Sequence, residues 1–290
     1  MKGIILAGGS GTRLHPSTIT VSKQLLPVYD KPMIYYPLSA LMLAGVQEIL
    51  IISNPEYVES YRTLLGDGHS WGMQFSYIIQ QSPRGLADAF VLGEEFVDNK
   101  PVSMMLGDNI LYGSGLVEKL TNATKIEEGA VIFAYQVKDP ERFGIVEFDQ
   151  NRKAISLEEK PEKPKSHYAI PGVYFYDGKV SEYAKSLKPS KRGEIEITDL
   201  NRIYLEQGQL DVMVLGRGVA WLDAGTPEAL LQAANFIQAV QERQGFKISC
   251  PEEIAFRKQF IDKNQFRDVI NHCKNPDYKK YLEEVLVQEI

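Results

Sequence analysis

Short apolar segments alternate with helical segments through the first half of this 290-residue chain. Runs of apolar, β-branched residues predict strands at residues 3–7, 48–53, 74–79, 103–106 and 130–135. Apolar residues that recur every three or four positions predict helices between them, at residues 35–44, 57–65, 86–96 and 116–125. This alternation is typical of βαβ units, because parallel neighbours need a long crossover connection. We therefore expect an α/β fold with a Rossmann-like, mostly parallel sheet flanked by helices.

The pattern changes beyond residue 139. Shorter strands are predicted at residues 144–148, 154–158 and 168–176, followed by a helix at 198–206 and a strand at 211–215. A mixed part of the sheet is expected in this region. From Thr226, which suits a helix N-cap, the chain is predicted to be wholly helical, and Pro251 and Pro276 divide it into separate helices.

Charge and cysteine content exclude several classes of protein. The formal net charge is −6, and the chain lacks the basic stripe that nucleic-acid binding requires. Cys250 and Cys273 show neither metal-ligand spacing nor a disulfide framework, which favours a reducing compartment. The apolar start of the chain is too short for a signal segment or a membrane span. We therefore expect a cytoplasmic protein that binds neither membranes nor nucleic acid.

A glycine-rich loop directly follows the first predicted strand. Its sequence is Gly8-Gly9-Ser10-Gly11-Thr12-Arg13. Glycines let backbone N–H groups approach a phosphate closely, and the arginine adds a fixed positive charge. The loop lies at the carboxyl end of its strand, where open α/β sheets bind ligands. A tight turn alone would be the simpler interpretation, but three glycines followed by an arginine favour a phosphate site.

Two better-known phosphate loops do not fit this segment. The dinucleotide fingerprint requires a glycine at the position of Leu14, and the Walker loop requires Ser or Thr after its lysine, whereas Gln24 follows Lys23. An NAD-dependent dehydrogenase also needs an acid at the end of the second strand, where Ser53 and Asn54 stand.

Two aspartates are candidates for a metal site. Asp108 follows the apolar strand at 103–106, and Asp223 ends an apolar run just before a glycine turn and a helix. Either residue alone would more often be a helix cap or a turn residue. Mg²⁺ is commonly bound by one or two carboxylates together with substrate phosphate oxygens, so Asp108 and Asp223 together are sufficient for a magnesium site.

Several of these motifs together resemble the sugar-nucleotide pyrophosphorylases. The matching segments are Leu6-Ala7-Gly8-Gly9-Ser10-Gly11-Thr12-Arg13-Leu14, Ser22-Lys23-Gln24-Leu25-Leu26-Pro27-Val28 and Lys31-Pro32-Met33-Ile34. The resemblance implies the nucleotide-diphospho-sugar transferase fold. It also implies a catalytic domain at residues 1–240, with a nucleotide-binding part at about 1–138 and a sugar-binding part at about 139–240. A helical C-terminal region would follow at residues 241–290.

The resemblance also implies a set of site residues. Arg13, Lys23, Asp108 and Asp223 are expected to be catalytic, and the two aspartates to bind the metal. The nucleotide is expected to contact Leu6, Gly8, Gly9, Ser10, Gly11, Thr12, Arg13, Gln24, Gln80, Gly85 and Asp108. The sugar phosphate is expected to contact Asn109, Gly144, Glu159, Lys160, Ile170, Arg192 and Trp221. Without the resemblance, the segment around Glu159 would be interpreted as a solvated turn and the one around Arg192 as a helix cap.

Over its whole length the chain most resembles family members that join dTTP to glucose 1-phosphate in bacterial dTDP-rhamnose biosynthesis. A glutamine can pair with the N–H and the carbonyl of a pyrimidine, so Gln80 suits thymine or uracil. The resemblance further implies Mg²⁺, a homotetramer and a second site at the C-terminal helices for a dTDP-sugar that acts as a feedback ligand. Phe143 stands where many members have tyrosine, which leaves the sugar selectivity open.

The expected reaction is an in-line displacement without a covalent intermediate, in which the sugar phosphate attacks the α-phosphorus. One alternative stays within this class: a uridylyl-, cytidylyl- or adenylyltransferase that acts on a related sugar phosphate. A second is a non-catalytic protein that binds sugar nucleotides and regulates a partner. The second is disfavoured because a binder has no use for both metal aspartates.

Overall fold

A ten-stranded sheet lies at the centre of the computed structural model, which describes residues 1–288. The strands are β1 Lys2–Leu6, β2 Pro27–Val28, β3 Lys31–Pro32, β4 Glu48–Ser53, β5 Gln74–Ile79, β6 Val102–Leu106, β7 Asn109–Gly113, β8 Ala130–Gln136, β9 Gly144–Phe148, β10 Ala154–Glu159, β11 Tyr168–Ala169, β12 Val173–Tyr176, β13 Leu210–Val214 and β14 Val219–Asp223. The helices are α1 Tyr35–Leu43, α2 Val58–Leu65, α3 Asp88–Leu92, α4 Glu94–Val97, α5 Leu116–Ala123, α6 Val180–Ser186, α7 Ile197–Glu206, α8 Pro227–Gln244, α9 Pro251–Arg257, α10 Lys263–His272 and α11 Pro276–Val287. None of the helices in this part of the chain is long and apolar enough to cross a membrane.

The strand order combines a parallel half with a mixed half. Along the sheet the order is β10-β9-β11-β8-β12-β6-β1-β4-β5, and β13 pairs with β8. Strands β6, β1, β4 and β5 are parallel, whereas β12 runs antiparallel to both β6 and β8. The predicted α/β fold with a mostly parallel, mixed sheet is therefore confirmed.

Helices cover both faces of this sheet. Neighbouring residues of β1 alternate between the two layers, because successive side chains of a strand point to opposite faces. Ile5 packs in the layer that contains α1, α2, α5 and the C-terminal helices α9–α11, and Ile4 packs in the layer that contains α3, α4, α6 and α7. Burial on both faces explains why β1 has a continuous apolar sequence.

Three predicted elements are interrupted in the structure. The prediction of a single helix at 86–96 is wrong, because Gly93 separates two short helices, α3 and α4. The strand expected at 168–176 is divided into β11 and β12, since Pro171 lacks an N–H and Gly172 donates its N–H to the Asn109 side chain at 2.9 Å. The C-terminal helices also have a boundary that proline positions did not predict: Asp262 caps α10 and separates it from α9.

Candidate active site

The glycine-rich loop leaves the sheet at the end of β1 and curves around a cavity. Gly9 and Gly11 have φ angles of 106° and 59°, which residues other than glycine rarely adopt. Asn54, at the end of β4, holds the loop by accepting from the Gly9 N–H and donating to the Gly9 carbonyl, both at 3.3 Å. The cavity measures about 240 Å³, and residues 8–13 line it together with Lys23, Gln24, Asp108 and Gly225. The loop is therefore preformed, with space beside its backbone.

Two glutamines lie next to this loop. Gln24 is buried and donates from Nε2 to the Gly8 carbonyl at 3.2 Å, so it supports the loop. Gln80 donates from Nε2 to Asp88 at 3.1 Å. A carboxylate can only accept, so this bond fixes the Gln80 amide and leaves Oε1 on the side of Gly8, where an added Cβ would lie 3.2 Å away. Gln80 Oε1 thus lies beside the loop, although Gln80 does not line the cavity.

A two-stranded ribbon brings the two aspartates together. Strands β7 and β14 pair antiparallel, and Asn109 lies directly opposite Asp223. Asp108, the residue before Asn109, is therefore a neighbour of Asp223 despite their distance along the chain. Lys23 forms an ion pair with Asp108 at 2.5 Å, and Asn109 donates to the other Asp108 oxygen at 2.9 Å.

The two carboxyl groups experience different electrostatic environments. Burial raises the pKa of Asp108, but the Lys23 charge and the hydrogen bonds from Lys23 and Asn109 outweigh it, so the pKa lies below its ordinary value. Burial and the Asp108 charge together raise the pKa of Asp223 above its ordinary value, although nearby cations oppose this. The exposed fraction of the side chain is 23% for Asp108 and 22% for Asp223. The pair therefore concentrates negative charge at the edge of the cavities.

This arrangement fits a hard divalent cation whose coordination shell is completed by oxygen atoms of a bound ligand. Within residues 1–288 no group of three or more His, Cys, Asp or Glu side chains could hold a metal without other ligands. Two partly exposed carboxylates beside a phosphate-sized cavity supply the oxygen donors that Mg²⁺ prefers, and substrate phosphate oxygens can supply more. The β7–β14 pairing thus brings the two aspartates together, and a magnesium site at them stays a prediction.

A second cavity of about 400 Å³ adjoins the first. It is lined by Arg13, Leu86, Leu106, Asp108, Asn109, Arg142, Phe143, Gly144, Glu159, Lys160, Ile170, Gly172, Tyr174, Ile197, Thr198, Asn201, Trp221 and Asp223. Arg13 and Asp108 line both cavities, so the glycine-rich loop and the second cavity meet at these two residues. Two spaces for ligands therefore meet at Asp108, and Asp223 lines the second of them.

The wall of the second cavity is built around Glu159. Thr198 donates to one Glu159 oxygen at 2.5 Å, and Arg192 lies 3.4 Å from the other. A Cβ at Gly144 would lie 3.3 Å from the same carboxylate, so glycine keeps this wall open. Lys160 has a φ of 43°, and strained backbone of this kind is concentrated at functional sites.

Trp221 and Asn109 form the connection between the ribbon and the second cavity. The Asn109 side chain accepts from the Trp221 ring N–H at 2.7 Å and from the Gly172 N–H at 2.9 Å. Phe143 packs on Trp221 with ring centroids 4.9 Å apart. The Asn109 side chain therefore holds Asp108, Trp221 and Gly172, the residue before β12, in place.

The structure brings most of the expected site residues to the two cavities, but four of them line neither cavity. Of the nucleotide set, residues 8–13, Gln24 and Asp108 line the first cavity, and of the sugar set all but Arg192 line the second. The remainder, which line neither cavity, are Leu6, Gln80, Gly85 and Arg192. Arg192 lies behind Glu159, within 3.4 Å of three carboxylates. Gly85 packs against the Ile195 backbone, where a Cβ would overlap it.

Arg142 is a site residue that the sequence analysis did not identify. It ends a short 3₁₀ turn, donates to Asp139 at 2.8 Å, and lies 3.6 Å from Asp223. It lines the second cavity and also a third one of about 550 Å³ on the other side of Phe143 and Trp221. The only available signal was its position beside Phe143, since a single arginine in a loop has no distinctive spacing.

Comparisons with known proteins agree with this geometry. The family model described as Nucleotidyl transferase matches residues 2–240. A glucose-1-phosphate thymidylyltransferase from Xanthomonas campestris is 58% identical over 281 residues, which cover 97% of this chain and 95% of that protein. One from Mycolicibacterium smegmatis is 54% identical over 289 residues, which cover 100% of both chains.

Solved structures give the same result. A Bacillus anthracis protein described as a glucose-1-phosphate thymidylyltransferase in complex with sucrose has a TM-score of 0.74 and 45% identity, covering 81% of this chain and 94% of that chain. A UDP-glucose pyrophosphorylase complexed with UDP-glucose has a TM-score of 0.72 and 25% identity, covering 84% of this chain and 99% of that chain. Sequence motifs, fold and relatives thus agree, and the chain belongs to the nucleotidyl transferase family.

Proposed function

We propose that this protein is an enzyme that converts dTTP and glucose 1-phosphate to dTDP-glucose and pyrophosphate. One observation carries the proposal: Arg13 and Asp108 line both the glycine-loop cavity and a second, mixed polar and apolar cavity, and Asp223, which the β7–β14 pairing brings beside Asp108, lines the second. A transferase needs its two substrates on either side of one charge-neutralising centre. The relatives named glucose-1-phosphate thymidylyltransferase support this choice of substrates.

The reaction is a direct displacement at phosphorus. An oxygen of the sugar phosphate forms a bond to the α-phosphorus of dTTP while the bond to the β-phosphate oxygen breaks, and pyrophosphate leaves with that electron pair. The attacking oxygen is already anionic, so no general base is needed. Residues of this chain contribute position and positive charge: Arg13 and Lys23 at the triphosphate, and Lys160 toward the sugar phosphate. Arg192, which the resemblance also assigns to the sugar phosphate, pairs with three carboxylates and does not line the cavity.

Asp108 and Asp223 are the residues that would hold Mg²⁺. When bound there, the ion supplies charge neutralisation for the phosphates. Without it, Lys23 and Arg142 are the cations next to the two carboxylates, at 2.5 Å and 3.6 Å respectively.

The base is expected to be thymine or uracil. With the Gln80 amide fixed by Asp88, its Oε1 can accept from the imide N–H of either base, whereas cytosine has no N–H at that ring position. A UTP-dependent reaction is the second candidate, because a UDP-glucose pyrophosphorylase shares the fold. Both alternatives place the same residues in the same roles.

Pyrophosphate release with glucose 1-phosphate and each of dTTP, UTP, CTP, ATP and GTP tests the proposal. We expect kcat/KM to be largest with dTTP, lower with UTP, and negligible with the other three. A preference for UTP over dTTP would replace the nucleotide in the proposal. The absence of pyrophosphate release with every triphosphate would instead favour a non-catalytic sugar-nucleotide-binding regulator.

The resemblance along the full length supports four further proposals. The protein would act in the cytoplasm, form a homotetramer, take part in dTDP-rhamnose biosynthesis, and bind a dTDP-sugar as a feedback ligand at its C-terminal helices. The division into residues 1–240 and 241–290, and of the former near residue 138, also stays a proposal. Residues 289 and 290 lie outside the described part of the chain.

A further inference from the structure

One buried amide faces the second cavity without being fully hydrogen-bonded. Asn201, on α7, has no exposed surface and belongs to the lining of the cavity. Its Oδ1 accepts from the Tyr176 hydroxyl at 2.6 Å. Its Nδ2 has no hydrogen-bond partner anywhere in residues 1–288. The amide is therefore held at one end, and its donor is unused.

An unused buried donor is costly to keep. Leaving such a group unpaired costs about 1–3 kcal/mol, whereas an apolar side chain of similar shape would avoid this cost. Thr198, which also lines the cavity from α7, differs in this respect because its hydroxyl already donates to Glu159 at 2.5 Å. Of the two polar α7 residues that line this cavity, Thr198 and Asn201, only Asn201 has a donor without a partner in residues 1–288.

The chemistry of the cavity indicates what this donor would bind. Arg13, Arg142 and Lys160 supply positive charge for a phosphate group. Asn201 is neutral and lies among Ile197 and Tyr174, which also line the cavity. A neutral amide donor in such surroundings suits a neutral acceptor, such as a hydroxyl oxygen, better than a phosphate.

Resting on the proposed function, we infer that Asn201 Nδ2 donates a hydrogen bond to a hydroxyl group of the sugar 1-phosphate, directly or through one water. Asn201 is then a residue that determines which sugar is accepted. Its Oδ1 is held by the Tyr176 hydroxyl, which leaves Nδ2 for the ligand. The ligand class is a hexose 1-phosphate that carries a hydroxyl at the position Asn201 reaches.

The test uses Asn201→Leu, with Ser181→Ala as the matched control. Ser181, on α6, is also buried and its hydroxyl has no hydrogen-bond partner in residues 1–288, but it does not line the second cavity. Steady-state rates would be measured with dTTP and glucose 1-phosphate, and with its 2-, 3-, 4- and 6-deoxy analogues. We expect Asn201→Leu to raise the KM for glucose 1-phosphate roughly fivefold to tenfold, as for one neutral hydrogen bond. The KM for dTTP should not change.

The deoxy series separates recognition from structural support. In the wild type, one deoxy analogue should react less efficiently than glucose 1-phosphate, and in Asn201→Leu that difference should disappear. Ser181→Ala should keep the wild-type selectivity. An equal loss with every sugar in Asn201→Leu, or the same loss of selectivity in Ser181→Ala, would overturn the inference. A wild-type protein that makes no dTDP-glucose would refute the proposed function instead.

A structure of the wild-type protein with glucose 1-phosphate provides a second test that does not depend on how the variant folds. We expect Nδ2 of Asn201 within about 3.2 Å of a sugar hydroxyl, or of a water that bridges to one. A bound sugar with neither contact would contradict the inference.

Discussion

Asp108 and Asp223, the two proposed metal ligands, have different partners, and this difference makes them distinguishable by mutation. Lys23 is buried and forms an ion pair with Asp108 at 2.5 Å, whereas Asp223 has Arg142 at 3.6 Å. The Lys23 charge and the hydrogen bonds from Lys23 and Asn109 lower the pKa of Asp108, whereas burial and the Asp108 charge raise the pKa of Asp223. We therefore expect Asp108 to contribute to stability as well as to catalysis, and Asp223 chiefly to catalysis.

We predict that Asp108→Asn and Asp223→Asn each reduce kcat roughly a hundredfold or more, because each removes charge stabilisation at the reacting phosphate. Only Asp108→Asn should lower the melting temperature clearly, since it leaves Lys23 without its counter-charge, at a cost of about 2 kcal/mol. Steady-state kinetics and thermal melting measure both effects. Asp211→Asn, at an exposed position on β13, is the control. Near-normal turnover in either variant would remove that residue from the proposed metal site.

Arg142 illustrates a site residue that a single sequence does not reveal. Its role depends on its approach to Asp223 and on the two cavities it lines, and both are tertiary features. Asn54 is similar, because the sequence showed only that it is not an acid, whereas the structure shows that it holds Gly9.

We predict that Arg142→Met lowers kcat/KM roughly tenfold, as expected for the loss of one charged contact to substrate. Arg62→Met is a matched control, because Arg62 has the same two kinds of contact away from the cavities. It pairs with Glu59 three residues earlier and stacks on Tyr77, as Arg142 pairs with Asp139 and stacks on Phe143. Equal activity losses in both variants would show that Arg142 acts only through local packing.

At the scale of elements, the β7–β14 ribbon determines the geometry of the site. The sequence indicated an apolar run at Asp223 but not β7, which follows β6 after only two residues. Strand pairing between segments so distant in sequence is decided by tertiary packing rather than by local pattern. The turn after β14 is equally constrained: a Cβ at Gly225 would lie 2.9 Å from Asp223 Oδ1 and 3.1 Å from Arg13 Nη2.

We predict that Gly225→Ala lowers kcat at least tenfold with little change in melting temperature, because the added methyl group displaces Asp223 or Arg13 rather than disturbing the core. Gly216→Ala is the control, since an added Cβ there meets nothing within 4 Å and the backbone conformation is permissive. Wild-type kinetics in Gly225→Ala would show that the turn tolerates the methyl group and does not position these side chains.

At the scale of the whole molecule, local pattern predicted the sheet and the resemblance of the motifs indicated the family, but neither gave the strand order. The α/β fold and the family are confirmed. Strands β4 and β5 have the predicted bounds, because buried parallel strands leave a clear apolar run. The insertion of β12 between β6 and β8 depends on contacts far apart in sequence, so it could not be predicted. The individual site residues stay predictions until the variants are measured.

Metal dependence should separate catalysis from folding. We predict that a chelator abolishes pyrophosphate release, and that added Mg²⁺ restores it. The melting temperature of the protein without substrates should stay the same, because Lys23 and Arg142 already lie next to the two carboxylates. Turnover that persists in a chelator would remove the metal from the proposal, and a large loss of stability would indicate a structural metal instead.

The central claim is that the sugar phosphate itself attacks the α-phosphorus. Glucose 1-phosphate with ¹⁸O in its phosphate oxygens, reacted with unlabelled dTTP and followed by ³¹P NMR, tests this directly. The predicted result is ¹⁸O in the bridge of dTDP-glucose, detected by an isotope shift at the α-phosphorus, and pyrophosphate without label. Label in the pyrophosphate, or pyrophosphate released without any sugar phosphate, would contradict the account.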